Sequence, residues 1–166
     1  MSLRPALILP LLCALLAPCL ASAQELPGQL VFQGERFLNM GKYEAALGQY
    51  AKVIECCENS PEGAEAHNDM GVACMRLNRP EEAVAHYEAA IAINDYPLAY
   101  FNLGKALAAR YHDKGDPADR ERGLELLEMF QIYMQEVDPE ELPPSITYQR
   151  EEFEENLRSS IENLRR

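Results

Sequence analysis

The chain has 166 residues, about the length of one ordinary domain, and its 48% hydrophobic and 25% charged residues are typical of a folded protein rather than a disordered one. Its formal net charge of −12 at pH 7 argues against nucleic acid as a partner, because phosphate groups would repel it. We interpret this charge as a source of solubility; it is compatible with a basic partner but does not require one.

The first 23 residues predict a secretory signal peptide. Arg4 is the only charged residue in this segment, the apolar run 6–17 follows it, and residues 21–23 read Ala-Ser-Ala. A basic start, a short apolar core and a small-x-small ending are the three parts of such a peptide. We therefore expect cleavage after Ala23 and a periplasmic or secreted mature protein.

Two other interpretations of this segment stay open. It is an uncleaved membrane anchor if the apolar stretch stays in a bilayer, although Pro10 and Pro18 interrupt it. It belongs to a lipoprotein if Cys19 is acylated, although Pro18 fits poorly where a small residue is expected. No other stretch is apolar enough to cross a membrane, so we expect no membrane insertion of the mature chain.

The apolar spacing predicts seven helices, at about 26–40, 43–57, 63–77, 80–93, 97–111, 118–137 and 148–165. Gly41 follows the first helix as a left-handed C-terminal cap would. Ser60 and Pro61 supply a capping residue and a first-turn proline before the third. The polar insert 112–117 predicts a loop between the fifth and the sixth.

Similar blocks of sequence recur around three glycines, Gly34, Gly71 and Gly104. The first block continues as Gly41-Lys42-Tyr43-Glu44-Ala45-Ala46 with Tyr50, and the second as Arg79-Pro80-Glu81-Glu82-Ala83 with Tyr87, at a spacing of 37 residues. Small residues are expected where two helices cross closely, and the tyrosines where a large side chain fills the space beside the crossing.

These blocks resemble the tetratricopeptide repeat, whose pattern is W-x₂-L-G-x₂-Y, then A-x₃-F, then P over about 34 residues. The resemblance covers residues 28 to about 137, although no block has the tryptophan. It implies an all-α fold: a tetratricopeptide-repeat helical solenoid of about three helix-turn-helix repeats, at about 28–61, 64–97 and 98–139. Each helix pair leaves one face bare and needs a neighbour to cover it.

The segment 140–166 lies outside the repeats and contains the breaker Leu142-Pro143-Pro144-Ser145. Its apolar residues then recur at helical spacing, at Phe153, Leu157, Ile161 and Leu164. Because the last repeat of a stack has to be covered, we predict a C-terminal capping helix. The alternative is a helix that binds a partner in its own right.

In tetratricopeptide-repeat proteins the first helix of each pair lines a concave groove that holds an extended or helical peptide. The resemblance implies that the groove of this chain is lined by Glu35, Leu38, Asn39, Asn68, Val72, Met75, Arg76, Phe101, Lys105 and Ala108. The alternative for each residue is plain surface or packing between helices. Some family members grip a C-terminal carboxylate with a lysine–asparagine set, but Val31 and Glu35 occupy those positions here, so we do not expect that activity.

The sequence offers no catalytic, metal-binding or cofactor-binding set. It has no Gly-x-Gly-x-x-Gly, no phosphate loop and no Cys-x-x-Cys, and His67, His86 and His112 lack the i,i+4 spacing of a helical metal site. We therefore expect no enzyme activity, no metal and no cofactor, and we interpret His67 and His86 as surface or packing residues.

Three cysteines follow the predicted signal peptide: Cys56, Cys57 and Cys74. On a helix Cys56 and Cys57 would point about 100° apart, and Cys74 would lie about 16 Å along the next helix. A disulfide needs Cα atoms within about 7 Å and a suitable orientation, so we expect no intramolecular disulfide. A bridge from Cys56 or Cys57 to another chain stays open.

These observations favour an exported adaptor or assembly factor that binds a protein or peptide in a concave groove. The alternative is a structural subunit of a permanent envelope complex that uses its convex face or its C-terminal helix. Fold alone does not decide between them.

Overall fold

The computed structural model describes residues 26–142, 144–148 and 150–166, so the predicted signal peptide and its cleavage site at Ala23 lie outside the described residues. The described residues form eight helices and no strand: α1 (Pro27–Asn39), α2 (Tyr43–Cys57), α3 (Pro61–Arg76), α4 (Pro80–Asn94), α5 (Pro97–Lys114), α6 (Pro117–Glu136), α7 (Pro144–Thr147) and α8 (Arg150–Arg165). Seven of them correspond to the seven predicted helices, so the all-α architecture is confirmed.

Prolines and short polar side chains set the helix boundaries. Six of the described helices begin at a proline, where the missing N–H would have no partner in the helix anyway. The hydroxyl of Ser60 accepts a hydrogen bond from the Gly63 N–H at 3.1 Å and caps α3. Gly41 follows α1 with φ +70°, a left-handed conformation that glycine adopts without strain.

A glycine marks the crossing inside each of the three helix pairs α1–α2, α3–α4 and α5–α6. A Cβ atom at Gly34 would lie 2.3 Å from the ring of Tyr50, and one at Gly71 would lie 2.4 Å from the ring of Tyr87. Both tyrosines are buried. In the third pair the neighbour of Gly104 is Leu127. The helices therefore approach so closely that only glycine fits.

The three pairs stack in chain order and curve. Each pair packs on the next, and the first helices also pack on one another, α1 on α3 and α3 on α5. Within the described residues the backbones of the second helices, α2, α4 and α6, lie farther apart, and α4 and α6 meet through the ion pair of Glu88 and Arg122 at 2.9 Å. Because the first helices are crowded together and the second helices are spread apart, α1, α3 and α5 form the concave side of the stack.

Helix α8 ends the stack by taking the place of a further first helix. It packs on α6 and on α5, just as α5 packs on α4 and α3. It buries Leu157, Ile161 and Leu164 in a cluster that includes Phe101 and Phe130. This contact covers the face that the third pair would otherwise leave bare.

Two connections differ from the prediction. Helix α5 runs on to Lys114 and is followed by Gly115 with φ +74°, so only Gly115 and Asp116 of the predicted loop 112–117 lie outside a helix. The extension lets the Lys114 Nζ atom donate to Glu81 at 2.7 Å. The predicted breaker at 142–145 contains the start of α7, whose residue Ile146 is buried against α8.

The close crossing can be tested by Gly71→Ala. We expect this substitution to lower the free energy of unfolding by about 1–3 kcal/mol, because the new methyl group would overlap a buried tyrosine ring. The measurement is urea unfolding followed by circular dichroism. Gly48→Ala is the matched control: it lies inside α2 with open space around it and should be neutral or stabilising by up to about 1 kcal/mol. Equal effects of the two substitutions would contradict the proposed crossing.

Candidate functional site

Twelve side-chain positions on α1, α3 and α5 form what we call the concave face. The crossing glycine marks the side of each first helix that faces its second helix. Successive residues of a helix are rotated by about 100°. The residues that lie six and two places before the glycine, and one and five places after it, are therefore on the side of the first helix that faces away from its second helix. They are Gly28, Phe32, Glu35 and Asn39 on α1, Glu65, Asp69, Val72 and Arg76 on α3, and Leu98, Asn102, Lys105 and Ala109 on α5. All twelve are exposed or half-buried.

The structure places five of the predicted groove residues on the concave face: Glu35, Asn39, Val72, Arg76 and Lys105. Asn39, Arg76 and Lys105 are exposed, and the other two are half-buried. The Nζ atom of Lys105 lies 5.1 Å from the centre of the Phe101 ring, a cation–π contact that holds the amine above the helix surface.

The other five predicted residues face the next helix pair instead. They are Leu38, Asn68, Met75, Phe101 and Ala108, which lie three before or four after a crossing glycine. Asn68 is 3% exposed, and its Oδ1 atom accepts a hydrogen bond from Asn102 of α5 at 2.9 Å. Phe101 is 5% exposed and packs on Phe130 and on Phe153 of α8. Asn68 and Phe101 are therefore packing residues, and the prediction that they line the groove is corrected.

Sequence reasoning missed six side chains of the concave face: Phe32, Glu65, Asp69, Leu98, Asn102 and Ala109. The sequence contained the signal that would have found them, namely their fixed offsets of two and six residues before the glycine and five residues after it. The predicted groove was rotated about the helix axis by about 60° toward the next helix pair, which is less than the 100° between successive residues of a helix.

Three carboxyl groups of the concave face lie close together at the boundary of α1 and α3, and we call Glu35, Glu65 and Asp69 the acidic crevice. Burial raises the pKa of all three. Glu65 and Glu35 add their charges to the effect on Asp69, whose pKa rises to about 7. Among the residues that the structure describes, no lysine or arginine forms an ion pair with any of them.

Asp69 is oriented by a chain of two asparagines. The amide of Asn102 donates to Asn68, and the amide of Asn68 donates to the Oδ1 atom of Asp69 at 3.1 Å. The chain links α5 to α3 beneath the concave face. A carboxylate that is held in one orientation is prepared to accept a hydrogen bond from a ligand without further ordering.

The hydroxyl group of Tyr50 lies buried beneath the acidic crevice. The ring is wedged against Gly34, and a Cβ atom there would lie 2.6 Å from the Cζ atom that carries the hydroxyl. Burial raises the pKa of Tyr50, and the charges of Asp69, Glu35 and Glu65 add to that shift. The hydroxyl has no hydrogen bond of good geometry among the described residues, but it lies close enough to the carboxyl group of Asp69 for the two groups to affect each other's pKa.

The residues with catalytic or redox potential lie away from the concave face. The Nδ1 atoms of His67 and His86 are 3.1 Å apart in the contact between α3 and α4, and burial lowers the pKa of both. Cys56 and Cys57 end α2, and Cys74 is buried; all three are free. The described residues contain no group of three histidine, cysteine or acidic side chains placed to hold a metal ion.

The raised pKa of Asp69 predicts a pH-dependent stability. The folded state binds this proton more tightly than the unfolded state, whose carboxyl group titrates near 3.8. The stabilising effect of the proton is therefore present at low pH and is lost between about pH 4 and 7. The titratable groups that face Asp69 from α1, α2, α3, α4 and the turn before α5 are Glu35, Tyr50, Glu65, Tyr87 and Tyr96.

We expect Asp69→Asn to become more stable than the unmodified protein as the pH rises from 5 to 8, by on the order of 1–2 kcal/mol. Asparagine keeps the acceptor for Asn68 but carries no charge. The measurement is the difference in the free energy of unfolding at each pH, with Glu152→Gln on the exposed side of α8 as the control. A difference that does not change with pH would show that the carboxyl group is not perturbed.

The comparisons with known proteins agree with this architecture. The family model of the tetratricopeptide repeat matches residues 34–95. No curated protein matches the sequence. Among solved structures, the first tetratricopeptide-repeat domain of Spaghetti (RPAP3), bound to the HSP90 peptide SRMEEVD, is 28% identical with a TM-score of 0.49, over 60% of this chain and 78% of that chain.

The crystal structure of MamA protein is 18% identical with a TM-score of 0.52, over 83% of this chain and 70% of that chain.

Every described helix is too short or too polar to span a lipid bilayer. The repeat model covers the first pair from Gly34 onward and the whole of the second pair. Residues 34–95 therefore match the tetratricopeptide repeat, and the described residues form an all-helical stack of three helix pairs with α8 packed against the third pair.

Proposed function

We propose that this protein is an exported adaptor or assembly factor that binds an extended segment of another protein along its concave face. The observation that carries the proposal is the solvent exposure of equivalent positions on the three first helices. Each is covered by its second helix and by the neighbouring pairs, yet the same four positions of each stay open to solvent. A surface that recurs in three successive repeats offers a partner one continuous strip.

The chemistry of the concave face suits a polypeptide. Arg76 and Lys105 supply donors for carbonyl or carboxylate oxygens. Phe32, which is 59% exposed, and the half-buried Val72 and Leu98 supply apolar contact. This mixture of a few placed polar groups with apolar area is typical of recognition surfaces.

A second candidate function is a structural subunit that uses its convex face. Met129 and Ile132 of α6 are 44% and 53% exposed. Met129 also lines a surface pocket of about 240 Å³ together with Pro97, Tyr100 and Tyr133. Exposed apolar side chains beside a pocket are a feature of protein interfaces. A monomer by size-exclusion chromatography with light scattering would favour the adaptor, and a stable oligomer would favour the subunit.

Concave-face binding is tested by the double substitution Arg76→Ala with Lys105→Ala. Loss of two charged donors should weaken capture of the partner at least about tenfold, while the thermal melt stays nearly unchanged because both side chains are exposed. Capture from the natural source followed by mass spectrometry identifies the partner and measures the loss. Lys52→Ala with Arg158→Ala removes two exposed cations from α2 and α8 and should leave capture unaltered. Full capture by the first variant would contradict the proposal.

Export is tested on the protein as it is made by its own cells. We expect the mature chain to be found outside the cytoplasm with Gln24 as its first residue, because the small-x-small ending at residues 21–23 is the form that signal peptidases cleave. Cell fractionation and N-terminal mass spectrometry measure both properties. Ala23→Arg should block cleavage and retain the leader. A cytoplasmic chain that begins at Met1 would refute this part of the proposal.

A further inference from the structure

We propose that the paired imidazoles of His67 and His86 make the contact between α3 and α4 sensitive to acid, so that the central helix pair loosens in mildly acidic solution. The concave face loosens with it, because α3 carries four of its positions. The effect on partner binding rests on the proposed function, whereas the effect on stability does not.

The two rings meet through the same atom of each. Their Nδ1 atoms are 3.1 Å apart and their ring centres 5.3 Å apart. His67 is 8% exposed, and His86 is half-buried. Two nitrogens at this distance form a hydrogen bond, which requires that one Nδ1 atom carries a proton and the other does not. The contact therefore holds only while one of the two Nδ1 atoms is unprotonated.

The surroundings of His67 assign the two roles. Its Nε2 atom is buried without a hydrogen bond and lies 3.9 Å from the Oε1 atom of Glu58, in the turn after α2. A neutral His67 with its proton on Nε2 directs that N–H toward the carboxylate and leaves Nδ1 as the acceptor. His86 then donates from its own Nδ1 atom, and its Nε2 atom is free to take up a proton.

The folded contact accepts one proton but not two. The first proton, on Nε2 of His86, leaves the hydrogen bond in place. The second proton has to go to Nδ1 of His67, where it faces the Nδ1–H of His86. Two N–H donors that point at each other lose the bond, and the two positive charges repel each other. In the unfolded chain both histidines take up a proton freely, so the folded state refuses one proton that the unfolded state binds.

The charges around the pair do not remove this conflict. Burial lowers the pKa of both histidines from the ordinary value of 6.5, and the charge of His67 lowers the pKa of His86 further. Glu58 opposes the shift of His67, and Glu82, one turn before His86 on α4, opposes that of His86. No charged group of the described part of α1 or α5 contributes to either shift. The stabilising effect of the neutral pair is therefore full above about pH 6.5 and is lost as the pH falls through the lowered pKa values.

The pair is placed where its opening affects recognition. His67 lies in the first half of α3, between Glu65 and Asp69 of the concave face. Helix α3 is the middle one of the three first helices and packs on both α1 and α5. When the contact with α4 opens, the concave residues of α3 lose their fixed position relative to those of the neighbouring helices.

The experiment compares the mature chain with His67→Asn. Asparagine places an amide near the position of Nδ1, accepts the hydrogen bond from His86 and takes up no proton. Urea unfolding at several pH values between about 7.5 and 5 gives the unfolding constants. We expect the constant of the unmodified chain, divided by that of the variant, to rise about tenfold for each pH unit below about 6, because one refused proton has that effect. Asp69 titrates in both chains, so its opposite effect cancels in the ratio. A ratio that does not change with pH would overturn the proposal.

The control is His112→Asn, which removes an exposed histidine and keeps the pair. It should retain the pH dependence of the unmodified chain, and the proposal falls if it behaves like His67→Asn instead. A second measurement needs no substitution: NMR of the histidine Cε1–H groups in the unmodified chain. We expect His86 to take up its proton first and His67 to take one up only as the native spectrum is lost. Protonation of both rings within an intact native spectrum would refute the inference.

Partner binding is measured by capture of the natural partner at about pH 7.5 and about pH 5.5. The unmodified chain should lose severalfold more capture between the two pH values than His67→Asn does. Equal losses would overturn the link to the concave face. If Arg76→Ala with Lys105→Ala leaves capture unaltered while the ratio of unfolding constants still follows pH, the proposed function fails and the acid-sensitive contact stands.

Discussion

The close crossing of two helices at a glycine is the contact on which the rest of this structure depends. At Gly34 and Gly71 the ring of a buried tyrosine occupies the space that a side chain would need. This contact fixes the distance between the two helices of a pair and also the rotation of the first helix about its own axis. This rotation determines which four residues of the first helix face away from the second helix. The recognition surface is therefore a geometric consequence of the packing.

The sequence was sufficient to predict the helices, because glycine, proline and apolar spacing are local signals. It was not sufficient to orient them. Asn68 and Phe101 occupy equivalent positions that face the next first helix, which is α5 for one and α8 for the other. A projection from one repeat alone does not contain that neighbour. The sequence predicts a loop at Lys114 for a similar reason, since its partner Glu81 lies in another helix pair.

Charge is arranged differently on the two sides of the solenoid. The ion pairs that link one helix pair to another, such as those of Arg79 and Lys114, are exposed, and pairs of this kind contribute little stability each. The carboxylates of the acidic crevice are the opposite case, since they are half-buried and lack a described cation. Tyr50 lies beneath them, beside the carboxyl group of Asp69. Uncompensated negative charge is thus concentrated on the side that we assign to recognition.

Helix α8 occupies the position at which a fourth helix pair would begin. The charge of its outer side affects how a second copy could pack there. A solenoid with uncovered apolar surface at both ends could join head to tail with other copies. Such contacts produce open filaments rather than closed oligomers. The outward residues of α8 are Glu151, Glu152, Glu155, Arg158 and Glu162, all exposed and mostly of one sign. These like charges disfavour the stacking of a second acidic surface on this side of α8.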